Sequence, residues 1–289
     1  MFLCEPWQDY EVLDTGDGEK LERWRDVLLR RPDPQVIWPK ADPARWEAAD
    51  GWYRRSDTGG GGWEFQRRLP ERWTVALDDL RFYVRPTGFK HTGLFPEQAA
   101  NWRFMRERVR AAGGSAQPRV LNLFAYTGGA TLACARAGAH VTHVDAAKGM
   151  VQWAKENREL SQIPEDSTRY IVEDCKAFVR RELRRGRRYD GILMDPPSYG
   201  RGPNGEVWKL EDELYDLVAL CAQAMSDTPC FFLINGYTPG FSAGVLRNIA
   251  QRCFCARFGG HVDADELALP VTSGGVLPCG TTARWTPDA

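Results

Sequence analysis

Three carboxylates, a glycine-bearing turn and a proline pair recur at comparable places along residues 124–199 of this 289-residue chain. Phe124-Ala125-Tyr126-Thr127-Gly128-Gly129 stands between a short apolar run and a stretch with helical spacing. Adjacent glycines let backbone approach a ligand closely, and a helix start offers N–H donors that the helix itself cannot use. Asp145 follows about 20 residues beyond the first strand's end, a spacing at which an acid can accept both hydroxyls of a ribose. Glu173-Asp174-Cys175 comes next, with Asp174 able to receive the exocyclic amine of an adenine. In Asp195-Pro196-Pro197-Ser198-Tyr199 the two prolines fix the backbone and remove two N–H groups, which leaves carbonyls as acceptors. The aromatic that follows can stack on a planar base. Taken singly, each feature has a plainer reading as a β–α turn, a helix N-cap or a simple turn. In this order, turn then ribose acid then adenine acid, they describe a nucleoside-binding sheet.

The elements around these residues support that reading. From Arg119 onward short apolar strands alternate with helical stretches: Val120–Phe124, a helix over Ala130–Ala137, Val141–Val144, and a helix over Ala147–Ser161. Tyr170–Val172, a helix from Lys176 to Arg185, Ile192–Met194, and a helix with an apolar stripe at Leu214, Leu217, Val218, Cys221 and Met225 come next. Phe231–Ile234 is a fifth strand, Ser242 opens a helix through Cys253, and Glu266–Val271 and Thr281–Trp285 read as two tail strands. Such alternation means a doubly wound α/β sheet with helices on both faces and ligands at the carboxyl ends of the strands.

Residues 1–85 read instead as a small β-rich domain, and residues 86–289 as the sheet domain. In the first part Tyr10–Leu13, Gln35–Trp38, Trp73–Leu77 and Arg81–Val84 have strand character, and Gly59–Gly62 reads as a loop tip. Seven of the 11 Trp lie before residue 74, which fits a small aromatic core better than a set of base-stacking surfaces. With 38 basic and 39 acidic residues, the chain lacks the global positive field of a non-specific nucleic-acid binder. The dense run Arg180, Arg181, Arg184, Arg185, Arg187 and Arg188 reads first as a helix C-terminus complementing its dipole. No apolar stretch is long enough to span a bilayer and the start lacks a secretory pattern, so a cytoplasmic protein is expected. The eight Cys are scattered and no His cluster accompanies them, so reduced thiols and no metal site are expected.

The stretch 119–240 resembles a class I S-adenosylmethionine-dependent methyltransferase, and within that class the bacterial large-subunit ribosomal RNA methyltransferase group. Val120-Leu121-Asn122-Leu123-Phe124-Ala125-Tyr126-Thr127-Gly128-Gly129 is similar to that group's first motif, and Val144-Asp145, Glu173-Asp174 and Asp195-Pro196-Pro197-Ser198 follow its later motifs in order and spacing. Phe89 to Gln98, including Lys90 and His91, sits where that group enters its catalytic domain. The resemblance implies S-adenosyl-L-methionine as cofactor, held by Phe124, Ala125, Tyr126, Thr127, Gly128, Asp145, Ala146, Glu173, Asp174, Cys175 and Asp195. It implies Asp195 and Tyr199 as catalytic residues, and Pro196, Pro197, Ser198, Lys90 and His91 on the substrate side. The implied acceptor is a base in RNA, ribosomal RNA first. Alternatives are a protein or small-molecule acceptor and a non-catalytic nucleoside-binding module. NAD is disfavoured because the turn lacks G-x-G-x-x-G. Two departures bear on the acceptor atom: Ser198 separates the prolines from Tyr199, and the fifth strand ends Ile234-Asn235-Gly236-Tyr237, without the Cys of 5-methylcytosine enzymes. A ring or exocyclic nitrogen is therefore the expected acceptor.

Overall fold

The computed structural model describes residues 1–56, 60–114, 117–202, 205 and 207–288. The chain divides into two compact units, one of Met1–Phe2, Ala100–Leu267 and Cys279–Ala289, the other of Leu3–Ala99 and Ala268–Pro278. The larger unit is built on strands β1 (Arg119–Leu123), β2 (His140–Asp145), β3 (Thr168–Val172), β4 (Gly191–Met194), β5 (Phe231–Gly236), β6 (His261–Pro270) and β7 (Val276–Thr286). Its helices are α1 (Ala99–Ala112), α2 (Gly129–Arg136), α3 (Lys148–Leu160), α4 (Cys175–Arg184), α5 (Leu210–Ala224) and α6 (Ala243–Ala250). The sheet order is β3-β2-β1-β4-β5-β7-β6, with the short strand Phe2–Leu3 beyond β6. Strands β1 to β5 are mutually parallel and β7 runs antiparallel to β5. This is the doubly wound α/β architecture expected from the alternation. Strands β4 and β5 are buried at every residue, as strands covered by helices on both faces must be.

Two local differences have clear causes. A two-stranded hairpin, Tyr199–Arg201 with Val207–Lys209, stands between β4 and α5. Its three-residue strands are too short to show a period of two. The helix expected to reach Cys253 is α-helical only to Ala250 and continues as a π turn, Gln251–Cys255, in which Phe254 stacks on Phe232 at 4.1 Å. Of the arginine run, Arg181 and Arg184 stand in the last turn of α4, while Arg185 and Arg187 lie 3.8 and 3.5 Å from buried Glu182, which also accepts from the Tyr189 hydroxyl at 2.7 Å and lies 3.6 Å from Arg169.

In the smaller unit, Tyr10–Gly16, Glu19–Trp24, Val27–Pro32, Gly51–Arg55 and Gly61–Phe65 form a five-stranded sheet in that order, and Trp73–Leu77 pairs with Leu80–Val84. Of the expected loop tip, Gly59 lies outside the described residues and Gly61 already begins a strand. Gln35–Trp38 forms a turn instead of the expected strand, since Pro34 and Pro39 remove ladder donors on both sides. Trp7, Trp24 and Trp46 are buried, so part of the tryptophan excess is core.

Two buried acids organise this unit. Asp14 accepts from Thr15 N at 2.9 Å, Ser273 Oγ at 2.6 Å, Trp46 Nε1 at 2.8 Å and Asp42 N at 3.3 Å, which secures the Ala268–Pro278 segment. Glu22 accepts two bonds from Arg31, at 2.5 and 2.7 Å, and one from the Tyr10 hydroxyl at 2.7 Å. Burial works against charge on Glu22, but Arg31 and Lys20 outweigh it and hold the carboxyl at about 2. Glu22→Gln should therefore destabilise the unit by about 3 kcal/mol, because Arg31 is left buried without a counter-charge. A carboxyl depressed on folding stabilises fully above its unfolded pKa and loses that contribution as pH falls through the folded value. In denaturant titrations the parent should lose the gap over the variant as pH drops from the ordinary glutamate range towards 2.

Candidate active site

The carboxyl ends of β1 to β4 converge where the strand order reverses, between β1 and β4, and Leu123 and Met194 are register partners there. In α/β sheets a crevice opens at this reversal. Directly after β1 the backbone takes an unusual path: φ is +54° at Phe124, +51° at Tyr126 and +90° at Gly128. Glycine adopts such values readily, but for Phe and Tyr they cost on the order of 1–2 kcal/mol each. The strain is held in place by surrounding groups. Ala125 N donates to Val144 O at 3.1 Å, and Tyr126 N donates to Asp145 Oδ2 at 2.8 Å. Phe124 N points at Cys175 Sγ at 3.3 Å, and Asn157 Nδ2 on α3 donates to Thr127 O at 2.9 Å. The two glycines have different reasons: Gly128 is left-handed at the α2 N-cap, whereas a Cβ on Gly129 would fall 2.4 Å from Trp102.

Asp145 divides its carboxylate between two backbone donors, Tyr126 N on Oδ2 and Ala147 N on Oδ1, both at 2.8 Å. Each oxygen has a second lone pair for an outside hydroxyl. Burial raises the Asp145 pKa above the ordinary aspartate value, against the two N–H bonds. Half-buried Ala146 follows it. Asp174 caps α4 by accepting from Ala177 N at 2.8 Å through Oδ1, and its remaining acceptor capacity is available at the end of β3. Glu173 is engaged by Arg181. Cys175 is a buried thiol whose pKa burial raises well above the usual value.

At the end of β4, Asp195 N donates to Leu123 O at 3.4 Å, which sets this residue beside the start of the left-handed turn. Pro196 is buried, while Pro197, Ser198 and Tyr199 are exposed. Ser198 Oγ lies 2.6 Å from Thr238 Oγ1 beyond β5, and Ser198 O accepts from Leu210 N. Pro197 does not send its carbonyl outward: it accepts from Trp208 Nε1 at 2.7 Å. The Trp208 ring also packs on Phe124, centroids 5.0 Å apart. Trp208 thus joins the proline loop to the β1 turn. Trp208 and Asn157 escaped the sequence reading, since one sits in an undetected hairpin and the other looks like an ordinary helix polar residue.

Lys90 and His91 belong to the smaller unit. Lys90 Nζ reaches Pro32 O at 3.5 Å. Burial, with Arg31, Lys90 and Lys20 nearby, pushes the His91 pKa down to about 4. No described helix is long and apolar enough to cross a membrane, and no cluster of three or more acidic, His or Cys ligands for a metal occurs among the described residues.

The reversal in strand order, the strained turn and the acids at successive strand ends define a nucleoside-binding protein of the doubly wound class. Residues 45–212 match the family described as S-adenosylmethionine-dependent methyltransferase, and the chain belongs to that family. It is similar to the SAM-dependent methyltransferase of Agrobacterium tumefaciens, with 36% identity and a TM-score of 0.94 over 99% of this chain and 93% of that one. Two curated relatives are both named ribosomal RNA large subunit methyltransferase K/L. The Syntrophotalea carbinolica protein is 30% identical over 64% of this chain and 25% of its own length, and the Magnetococcus marinus protein 32% identical over 68% and 26%. The chain therefore spans about a quarter of the length of these two relatives.

The residues present fit S-adenosylmethionine: Asp145 offers acceptors to ribose hydroxyls, Asp174 offers one to an amine, and the Phe124–Gly128 turn is preset at the end of β1. Asp145→Ala should weaken S-adenosylmethionine binding by about 2 kcal/mol, roughly thirtyfold, measured by calorimetry. The accepting form is the carboxylate, so parent affinity should fall on acidification at a pH above the ordinary aspartate range, and Asp145→Asn should abolish that dependence. Trp208→Phe keeps a ring against Phe124 but removes the bond to Pro197; steady-state kinetics should show kcat/KM reduced about tenfold.

Proposed function

We propose that this protein transfers the methyl group of S-adenosylmethionine to a nitrogen of a base in RNA, ribosomal RNA first, in the cytoplasm. The observation that carries the reading is the Asp195-Pro196-Pro197-Ser198 loop, tied through Trp208 to the turn at the head of the cofactor site. When bound, S-adenosylmethionine would supply a sulfonium methyl carbon that a lone pair attacks in line, the sulfur leaving as a neutral thioether with the C–S electron pair. Positioning provides most of the rate in such a step. In this reading the Phe124–Gly129 turn receives the methionine end, Asp145 with Ala146 beside it the ribose, and Asp174 with Glu173 and Cys175 nearby the adenine. Asp195 accepts a proton or hydrogen bond from the acceptor nitrogen, and exposed Tyr199 (54%) stacks on its base. Lys90 and His91 are assigned to the substrate in this reading.

The thiols support nitrogen over carbon. Methylation at carbon 5 of a pyrimidine requires a thiolate to add to the ring first. Burial pushes Cys134, Cys175 and Cys221 up, and Cys230 to about 12, far from the thiolate form at neutral pH.

Asp195→Ala should abolish turnover while leaving S-adenosylmethionine affinity within about tenfold, because the loop serves the acceptor. The acceptor itself is read by mass spectrometry of total RNA nucleosides from a strain lacking the protein beside its parent. Loss of one N-methylated nucleoside is expected. An unchanged nucleoside profile excludes RNA, and loss of a 5-methylpyrimidine excludes nitrogen.

A further inference from the structure

The tryptophan-rich unit does not bury all its aromatics. Strand Gly61–Phe65 places Trp63 and Phe65 on one face, their rings parallel within 5° and 5.9 Å apart. Tyr53 and Arg55 of strand Gly51–Arg55 share that face, since their register partners are Trp63 and Gly61. The Trp63 indole donates to Thr87 O at 3.0 Å and to Phe89 O at 3.1 Å. Thr87 closes the same loop by donating through Oγ1 to His91 O at 2.8 Å, and its N donates to that oxygen at 3.1 Å. A tightly bonded loop thus holds out Phe89, which is 69% exposed, while Phe65 is 48% exposed. An apolar ring fixed in solvent by a rigid support gains nothing for folding.

The charge beside these rings is positive. Lys20, Arg31 and Arg55 all lie close enough to act on Lys90, and Lys20 and Arg31 face the carboxylate of Glu22, with Asp33 beside Lys20. Glu22 is spent on buried Arg31, and Asp33 lies 3.5 Å from Lys20. Among the described residues, Arg55 and Lys90 are left as the excess. Burial, Lys20, Arg31 and Arg55 lower the Lys90 pKa, and Arg31, Lys90 and Lys20 contribute to the fall at His91. Flat rings beside cations are what a single nucleic-acid strand requires: faces for bases and charge for phosphates.

We propose that this face of the smaller unit binds single-stranded RNA, with Phe89 and Phe65 stacking on bases and Arg55 and Lys90 holding phosphates. The proposal rests on the RNA reading above and deepens it by giving the acceptor strand a second point of contact. The test is fluorescence anisotropy with a short labelled uridine oligoribonucleotide and the full chain, over a series of salt concentrations. Phe89→Ala should weaken binding roughly tenfold without changing the salt slope, because a stacking ring carries no charge. Arg55→Gln and Lys90→Gln should each weaken it and reduce the salt slope by about 0.7. Thermal unfolding at the parent midpoint shows that the variants are folded. If the parent binds and Phe89→Ala binds equally well with all salt slopes unchanged, this face is not the contact, and the RNA reading stands without it. If the parent binds no RNA, both readings fall together.

Discussion

The backbone between Phe124 and Gly128 sits in a conformation that two of its residues disfavour, and the rest of the site is arranged around keeping it there. Asp145 matters most, because one carboxylate oxygen fixes the Tyr126 N–H while the other fixes the start of the α3 segment at Ala147. The ends of β1 and β2 are thereby tied by an acid that still has lone pairs to offer. Strain of a few kcal/mol persists only where surrounding groups over-determine it. Here those groups come from three further places: the Val144 carbonyl, the Cys175 thiol at the start of α4, and Asn157 on α3. The turn is rigid before any ligand arrives, so little ordering entropy is charged to binding.

The same logic reaches the loop after β4 through Trp208. Two prolines stiffen residues 196 and 197 but do not aim them. Aim comes from the indole N–H on the Pro197 carbonyl and from the ring against Phe124. Ser198 adds a link towards the end of β5 through Thr238. A side chain that bonds one loop and packs on the other fixes the two relative to each other.

The smaller unit uses buried charge where a β-rich fold of its size has little apolar volume. Asp14 gathers donors from three separate segments and Glu22 neutralises Arg31 in the interior. With Trp7, Trp24 and Trp46 around them, these acids leave the remaining aromatics unnecessary to the core. Partial exposure separates Trp63, Phe65 and Phe89 from these buried tryptophans.

Sequence alone determined the sheet, because central parallel strands must be apolar on both faces and the helices between them carry a 3.6-residue stripe. It also determined the places of Asp145, Asp174 and Asp195, since a strand's end is visible where its apolar run stops. It could not reveal that Phe124 and Tyr126 adopt left-handed backbone, because φ at a non-glycine residue depends on partners distant in sequence: Asp145, Cys175 and Val144. Nor could it separate the roles of neighbouring glycines, as Gly129 answers to Trp102, a contact made only when α1 packs on α2. Asp174 is legible as an acid at a strand end, yet only the folded chain shows one oxygen already committed to capping α4. Trp208 lay beyond reach for a related reason: its hairpin has strands of three residues, too short for any periodicity, and its importance comes from touching two loops that the sheet, not the sequence, brings together.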